Sequence, residues 1–492
     1  MVCPYTYYCC SSLSSIKIPD LVSEIGNYAF YKCSLLSGKL ELPGILKTIG
    51  KQAFQDCIKL SESLEFPDLL NKIDEKAFYG CSGFTKDLKF GRSIAEIGED
   101  AFRGCSEFKG NIIFPDFLYP TEEDGKPKEG KVTINKNAFY GCSGFTGGLI
   151  LPKNTEIKEG AFRECSSLTG DLIIPEGASL EKYAFRDCVG FDGKLNVFDL
   201  KSIPEGAFYN CSNLKGEIPR GLTSIGKYAF YECSSLTGPL DLESASTTIN
   251  DYAFYNCKGL NGPILLGTQK LTVINDYAFY GCSGLTGELD WSEVTNVHKY
   301  AFAGCSGLTG PLEFEDKLTD IDEFAFAGCS GFSDRLTFHV KDLTIDPYAF
   351  KDCTGFKKGT LTFIVEEEEE AEPGNKIGKY YRYDYFLKIG NEAFDNTKFG
   401  DIYYLGRFQP DCDYDIGISQ IKGIHTSSNY ANKTFCNYPI HKNKLSGGAI
   451  AGIVIACVVV VALIVALIVY FVIKMKRNKD KSEGEVEMNG DP

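Results

Sequence analysis

The stretch that decides the fold runs from Ile225 to Leu242 and reads I-G-K-Y-A-F-Y-E-C-S-S-L-T-G-P-L-D-L. Its apolar residues Ile225, Ala229, Phe230 and Cys233 stand at i, i+4, i+5 and i+8, the stripe of a helical turn or two. In most related segments the residue after the isoleucine is Gly, Asn or Asp (Gly50, Asp74, Gly98, Asn250, Asn275, Asp322), which suits the first unpaired N–H groups of a helix. Beyond the cysteine the pattern changes. Leu236 and Gly238 lead into Leu240-x-Leu242, a period of two that predicts a strand of about three to five residues.

Working outward, the same phase recurs with Ala-Phe at Phe30, Phe54, Phe78, Phe102, Phe139, Phe162, Phe185, Phe208, Phe230, Phe254, Phe279, Phe302, Phe326 and Phe350, and a late copy at Phe394. The mean spacing is about 24 residues, within the range of leucine-rich solenoids. Glycine stands five residues after the cysteine in ten of fourteen regular copies, as a tight bend needs. One such unit cannot bury its own apolar face, but stacked units share a continuous core. The expected fold is therefore a repeat solenoid of short strands plus short helical turns.

Composition agrees with repetition. A chain of 492 residues is too long for one compact core, and 51 glycines and 35 phenylalanines stand beside one tryptophan. The net charge of −15 excludes a basic nucleic-acid footprint, and 43% apolar content excludes wholesale disorder. Of 20 cysteines, 14 lie three residues after the Ala-Phe phenylalanine, one thiol per unit. That column is expected to be a ladder of buried, inert thiols. Cys412 and Cys436 lie outside the array and are candidates for a disulfide.

Residues 447–473 carry neither charge nor proline, long enough as a helix to cross a ~30 Å hydrocarbon core. Lys474, Lys476, Arg477, Lys479 and Lys481 follow directly, so the positive-inside rule predicts a cytoplasmic C-terminus and extracellular repeats. A tail-anchored chain with cytosolic repeats is the competing arrangement, because the opening M-V-C-P-Y-T-Y-Y-C-C has no signal-peptide pattern. The expected organisation is then a solenoid over 1–358 with a partial first copy and an insertion near 115–132. An acidic insertion follows over 359–388, an irregular last repeat and juxtamembrane cap over 389–446, a transmembrane helix over 447–473 and a short cytoplasmic tail over 474–492.

The copies written I-G-x-Y-A-F-Y-x-C-S-x-L-T-G-x-L-x-L resemble the BspA-like leucine-rich repeats, and the array followed by one spanning segment looks like the membrane-anchored surface proteins of trichomonads. The resemblance implies a cell-surface protein that adheres to host cells, matrix or other microbes. It departs from the pattern at the insertions and where Thr397 replaces the cysteine.

Between the two strand leucines lies an outward position. Its column reads Glu41, Glu65, Lys89, Ile113, Ile150, Ile173, Asn196, Asp241, Leu265, Asp290, Glu313, Thr337, Thr362. Ile113, Ile150 and Ile173 interrupt polar neighbours, and an insertion carrying Phe117, Leu118 and Tyr119 falls beside them. This is the candidate partner-binding patch; the alternative is that loop and stripe cover one another. Asn432-Lys-Thr is a candidate glycosylation acceptor. Gly448, Gly452 and Ala456 share one face of the spanning segment, as at a homodimer contact between membrane helices. The tyrosines flanking Ala-Phe are expected to stack between units. No cofactor, metal or catalytic motif stands out, and the four histidines are scattered. The expected function is a non-enzymatic surface adhesin or recognition protein with a protein or glycan partner. A surface receptor or uptake protein acting through the tail, or a structural coat component, is the alternative.

Overall fold

The computed structural model describes residues 1–115, 130–244, 248–266, 270–357, 359–365 and 385–440. Each repeat is one coil of a β-solenoid, and successive coils pair in parallel with equivalent residues in register, as in Ile49↔Ile73 and Ile73↔Ile97. Two rows of strands run along the stack. One contains the isoleucine that opens each unit: a seven-stranded sheet from Glu24–Ile25 to Ser179–Leu180, the pair Ser202–Ile203 and Ser224–Ile225, and a second seven-stranded sheet from Thr248–Ile249 to Asp411–Cys412. The period-two pattern did not reveal this row, because only two residues per strand take part in most coils.

The other row holds the expected leucine strands. They are two or three residues long over most of the array, as in Leu64–Glu65, Leu88–Lys89 and Leu172–Ile174. From residue 310 they widen into a five-stranded sheet: Gly310–Phe314, Phe332–Val340, Thr360–Val365, Asp401–Tyr404 and Gly423–Thr426. Within the expected acidic insertion over 359–388, Thr360–Val365 pairs with both neighbouring coils and Phe386–Ile389 pairs with Asp342–Ile345; residues 366–384 lie outside the described residues. Further coils occupy much of the expected cap. An antiparallel hairpin, Thr434–Phe435 with Tyr438–Pro439, follows them.

The expectation of helical turns followed by a transmembrane helix is corrected. The Ala-Phe segment is a run of turns, and the only helical element among the described residues is the 3₁₀ turn Thr354–Phe356. In the reference coil, alternate amides point two ways. Ala229, Tyr231 and Cys233 donate back three residues, to Gly226, Tyr228 and Phe230. Tyr228, Phe230 and Glu232 donate to Asp251, Ala253 and Tyr255 of the next coil. A helix would keep all these N–H groups inside the segment, leaving coils unlinked along this edge. Left-handed residues at Tyr228 (φ 58°) and Glu232 (φ 58°) break the helical path and turn every second amide outward. No helix among the described residues is long and apolar enough to cross a membrane. The apolar stretch 447–473 lies outside the described residues.

Stacking explains why phenylalanine, cysteine and glycine hold their positions. The Ala-Phe rings form one unbroken column from Phe30 to Phe394, with centroids 4.9–6.1 Å apart and the faces nearly parallel. All are buried. From Cys57 onward each cysteine thiol of the ladder donates to the phenylalanine carbonyl of the coil before it, as Cys57 does to Phe30 at 3.1 Å and Cys233 to Phe208 at 3.0 Å, while Cys33 donates to Tyr7. Where Thr397 replaces the cysteine, its hydroxyl makes the same bond to Phe350 at 2.6 Å. A small side chain with one donor is what the position requires. Gly238 has φ 84°, the bend anticipated from the sequence.

Candidate functional site

The outward column forms as expected over the first half of the array. Glu65 and Lys89 pair in register and are bridged at 3.6 Å, and Lys89 is followed by Ile113. Bridges Ile112↔Leu149 and Leu149↔Leu172 then place Ile150 between Ile113 and Ile173. Ile150 is 76% exposed, Ile113 37%, and Ile173 is half-buried. The structure thus brings the three isoleucines together as an apolar stripe in a polar column. Phe117, Leu118 and Tyr119 lie outside the described residues.

Farther along, the column changes character. Glu313 accepts from Arg335 at 3.0 Å, and His339 lies 4.0 Å from both Glu313 and Glu315. Thr337 and Thr362 occupy the outward register yet are 1% and 5% exposed. Their polar appearance in the sequence concealed this burial.

On the turn edge, two aromatic ladders run side by side. One follows Tyr209, Tyr231, Tyr255 and Tyr280 at 4.4–4.8 Å; the other follows Tyr228, Tyr252, Tyr277, Tyr300, Phe324 and Tyr348 at 4.7–4.9 Å. Guanidinium groups extend the first ladder: Arg186 lies 4.4 Å from the Tyr209 ring, while Arg103 and Arg163 flank Tyr140 at 4.5 and 5.1 Å. Ring faces are occupied by neighbouring coils, which leaves edges and hydroxyls outward. Burial, then Tyr209 and Tyr255, pushes the Tyr231 hydroxyl up to about 12.

Burial pushes the Cys33 thiol up to about 11 and the Cys105 and Cys233 thiols up to about 12, so these three stay protonated at neutral pH. Cys412 and Cys436 are joined as a disulfide with Cα atoms 5.4 Å apart, tying the terminal hairpin to the last isoleucine-row strand. Asn432 is exposed. Gly448, Gly452 and Ala456 lie outside the described residues.

One cluster escaped the sequence reading. At the end of the isoleucine-row strands, His298 Nδ1 is 2.9 Å from Asp322 Oδ2 of the next coil. Asp276 of the preceding coil offers a carboxylate oxygen, and one ligand atom from each of the three lies within 4.8 Å of the others. The backbone N–H of Lys299 donates to Asp276 at 3.1 Å. The residues are 22 and 24 positions apart, so only a coil-by-coil alignment of the position after the isoleucine, which reads Asn250, Asn275, His298, Asp322, Asp346, would have exposed part of it. Asp346 is held above the usual carboxylate value by burial and then by Asp322, with Asp320 and Glu323 adding to the effect and Lys388 opposing it.

These features define a leucine-rich repeat solenoid. The chain belongs to the BspA type leucine-rich repeat family, whose model matches six copies over residues 1–122, 132–261, 201–308 and 272–399. Among solved structures it is similar to a leucine-rich repeat protein from Bacteroides ovatus, at 23% identity, covering 75% of this chain and 88% of that one, with a TM-score of 0.50. A leucine rich cell surface protein from Faecalibacterium prausnitzii matches at 20% identity over 74% of this chain and 83% of its own, with a TM-score of 0.33. The pneumococcal vaccine antigen PcpA matches at 13% identity over 87% and 79%, with a TM-score of 0.25. No curated protein matches the sequence.

Proposed function

We propose that this chain is a surface recognition protein, an adhesin whose repeats stand outside the cell at the plasma membrane and bind a protein or glycan partner. The observation that carries the reading is the stripe Ile113, Ile150 and Ile173. A solenoid coil has no folding need for an apolar residue at that outward position, and Ile150 stands 76% exposed between in-register neighbours. Membership of the BspA type repeat family supports display of such a face. Binding rather than catalysis is the reading of the thiols, since the repeated nucleophile of the array is buried and, at Cys105, held protonated.

The test is Ile150→Asp in the full chain on intact cells, with an antibody against the repeats reporting display without permeabilisation. Attachment to partner cells falls several-fold, while display and thermal stability stay within about 0.5 kcal/mol of the parent, as for a surface substitution. Unchanged attachment removes the stripe from the reading, and labelling that needs permeabilisation removes the location.

A further inference from the structure

From the cluster on the turn edge we infer that Asp276, His298 and Asp322 form a site for a divalent transition metal of the zinc class. This stands apart from the adhesin reading and rests on other residues. Three successive coils each supply one ligand: His298 directly follows Asn296–Val297 and Asp322 directly follows Asp320–Ile321, while Asp276 stands one position farther on, two residues after Ile274. The strands pair in strict register, Ile274↔Val297↔Ile321, so the backbone holds His298 and Asp322 at neighbouring points before any ion arrives, and the Lys299 amide draws the Asp276 carboxylate to them. Ligand atoms all within 4.8 Å of one another share a central point within about 2.8 Å of each, and modest side-chain rotation closes that to the ~2.0–2.2 Å of zinc–nitrogen and zinc–oxygen bonds.

The donor set selects the metal class. One imidazole with two carboxylates suits zinc and its first-row neighbours, whereas calcium and magnesium take oxygen ligands. A supporting contact is present as well: the Lys299 amide donates to Asp276 and fixes that ligand.

The local field points the same way. Asp320, Asp322 and Glu323 lie together at the end of one strand, and Lys299 Nζ, the neighbouring ammonium, is engaged by Glu323. His298 also departs from its column. In the coil two before it, Asn250 donates Nδ2 back to Ile225 O at 2.7 Å, a structural bond that His298 exchanges for a contact forward to Asp322. Three protein ligands leave a tetrahedral position open, and with Asp276 exposed that position faces solvent.

The test uses the full chain, stripped with chelator, with Cys3, Cys9 and Cys10 replaced by serine in every sample so that the N-terminal thiols do not compete. Titration calorimetry with Zn²⁺ and visible absorption with Co²⁺ are compared for this background and for His298→Asn and Asp322→Asn. Asparagine is native to the column at Asn250 and Asn275, so both variants keep the fold, as circular dichroism checks. The background takes up one Zn²⁺ per chain and gives the Co²⁺ band of a four-coordinate site, and each variant binds ~10–100-fold more weakly and loses the band. Equal zinc affinity in background and variants, or no saturable uptake by the background, overturns the assignment. So does Ca²⁺ binding that is indifferent to His298→Asn, because the imidazole would then be no ligand.

Discussion

The short-strand coils before residue 300 and the broad sheet from Gly310 to Thr426 solve the same stacking problem differently. Before residue 300 the leucine strands contribute two or three residues each, and coils are joined largely by the turn edge, through amides such as Phe230 to Ala253, the phenylalanine column and the thiol bonds. Beyond residue 310, strands of five, nine, six, four and four residues pair side by side, with one register shift between Gly310 and Leu312, and Leu312, Leu336, Leu361, Ile402 and Ile424 form one buried row. The outward column follows suit. It is open at Ile150 and closed at Thr337 and Thr362. Where backbone pairing is minimal, side-chain columns carry the fold and the outer face is free for a partner.

The largest expected effect is on the phenylalanine column. Phe230→Ala removes a ring stacked at 5.6 and 5.8 Å on Phe208 and Phe254 and costs about 3–5 kcal/mol. Because coils contact mainly their neighbours, hydrogen exchange accelerates across the coils around Phe230 while Phe332–Val340 and Thr360–Val365 keep their protection. Loss of protection in the wide sheet at the same time would erase the distinction between the regions.

A smaller effect sharpens the role of the turn edge. Tyr252 has φ 54° and stacks between Tyr228 and Tyr277 at 4.9 and 4.7 Å. Tyr252→Ala keeps the backbone strain and loses the stacking, costing about 1 kcal/mol in a denaturant melt. Tyr252→Gly also relieves the left-handed strain, worth about 1–2 kcal/mol, and lands near the parent. Equal losses for both variants would mean that the ring alone is the source and that relieving the left-handed backbone gains nothing.

The smallest is a pH effect in the second region. The folded protein holds the Asp346 proton more tightly than the unfolded chain, whose value is near 3.8. Ionising it therefore works against folding: stability is lost as pH rises from below 3.8 through the raised folded value, and stays lost at neutral pH. Asp346→Asn accordingly melts higher than the parent at neutral pH and equally in strong acid. A variant that melts lower at neutral pH would show the carboxylate to be favourably paired.

The period, the inward phenylalanine and cysteine columns, the bend glycines and the isoleucine stripe were all readable, since each is a residue type repeated at a fixed phase. The turn geometry was not. Ile225, Ala229, Phe230 and Cys233 have the spacing of a helix face, and nothing in a tyrosine announces a left-handed backbone, which the Tyr228 column adopts because coil-to-coil bonds and stacking repay the strain. Burial of Thr337 and Thr362 was hidden because the widening of the sheet depends on neighbours outside each repeat. The Asp276–His298–Asp322 cluster was invisible along the chain and obvious across coils, where register makes residues a full coil apart into contacts.

The central claim is that, among the described residues, every Ala-Phe segment is a run of turns bonded to its neighbours and contains no α-helix. Far-ultraviolet circular dichroism of residues 1–440 tests it directly. The account predicts a β-type spectrum without the double minimum of α-helix, because none of the Ala-Phe segments keeps its amide bonds inside a helical turn. A helical double minimum of the size that fifteen short helices would give contradicts it.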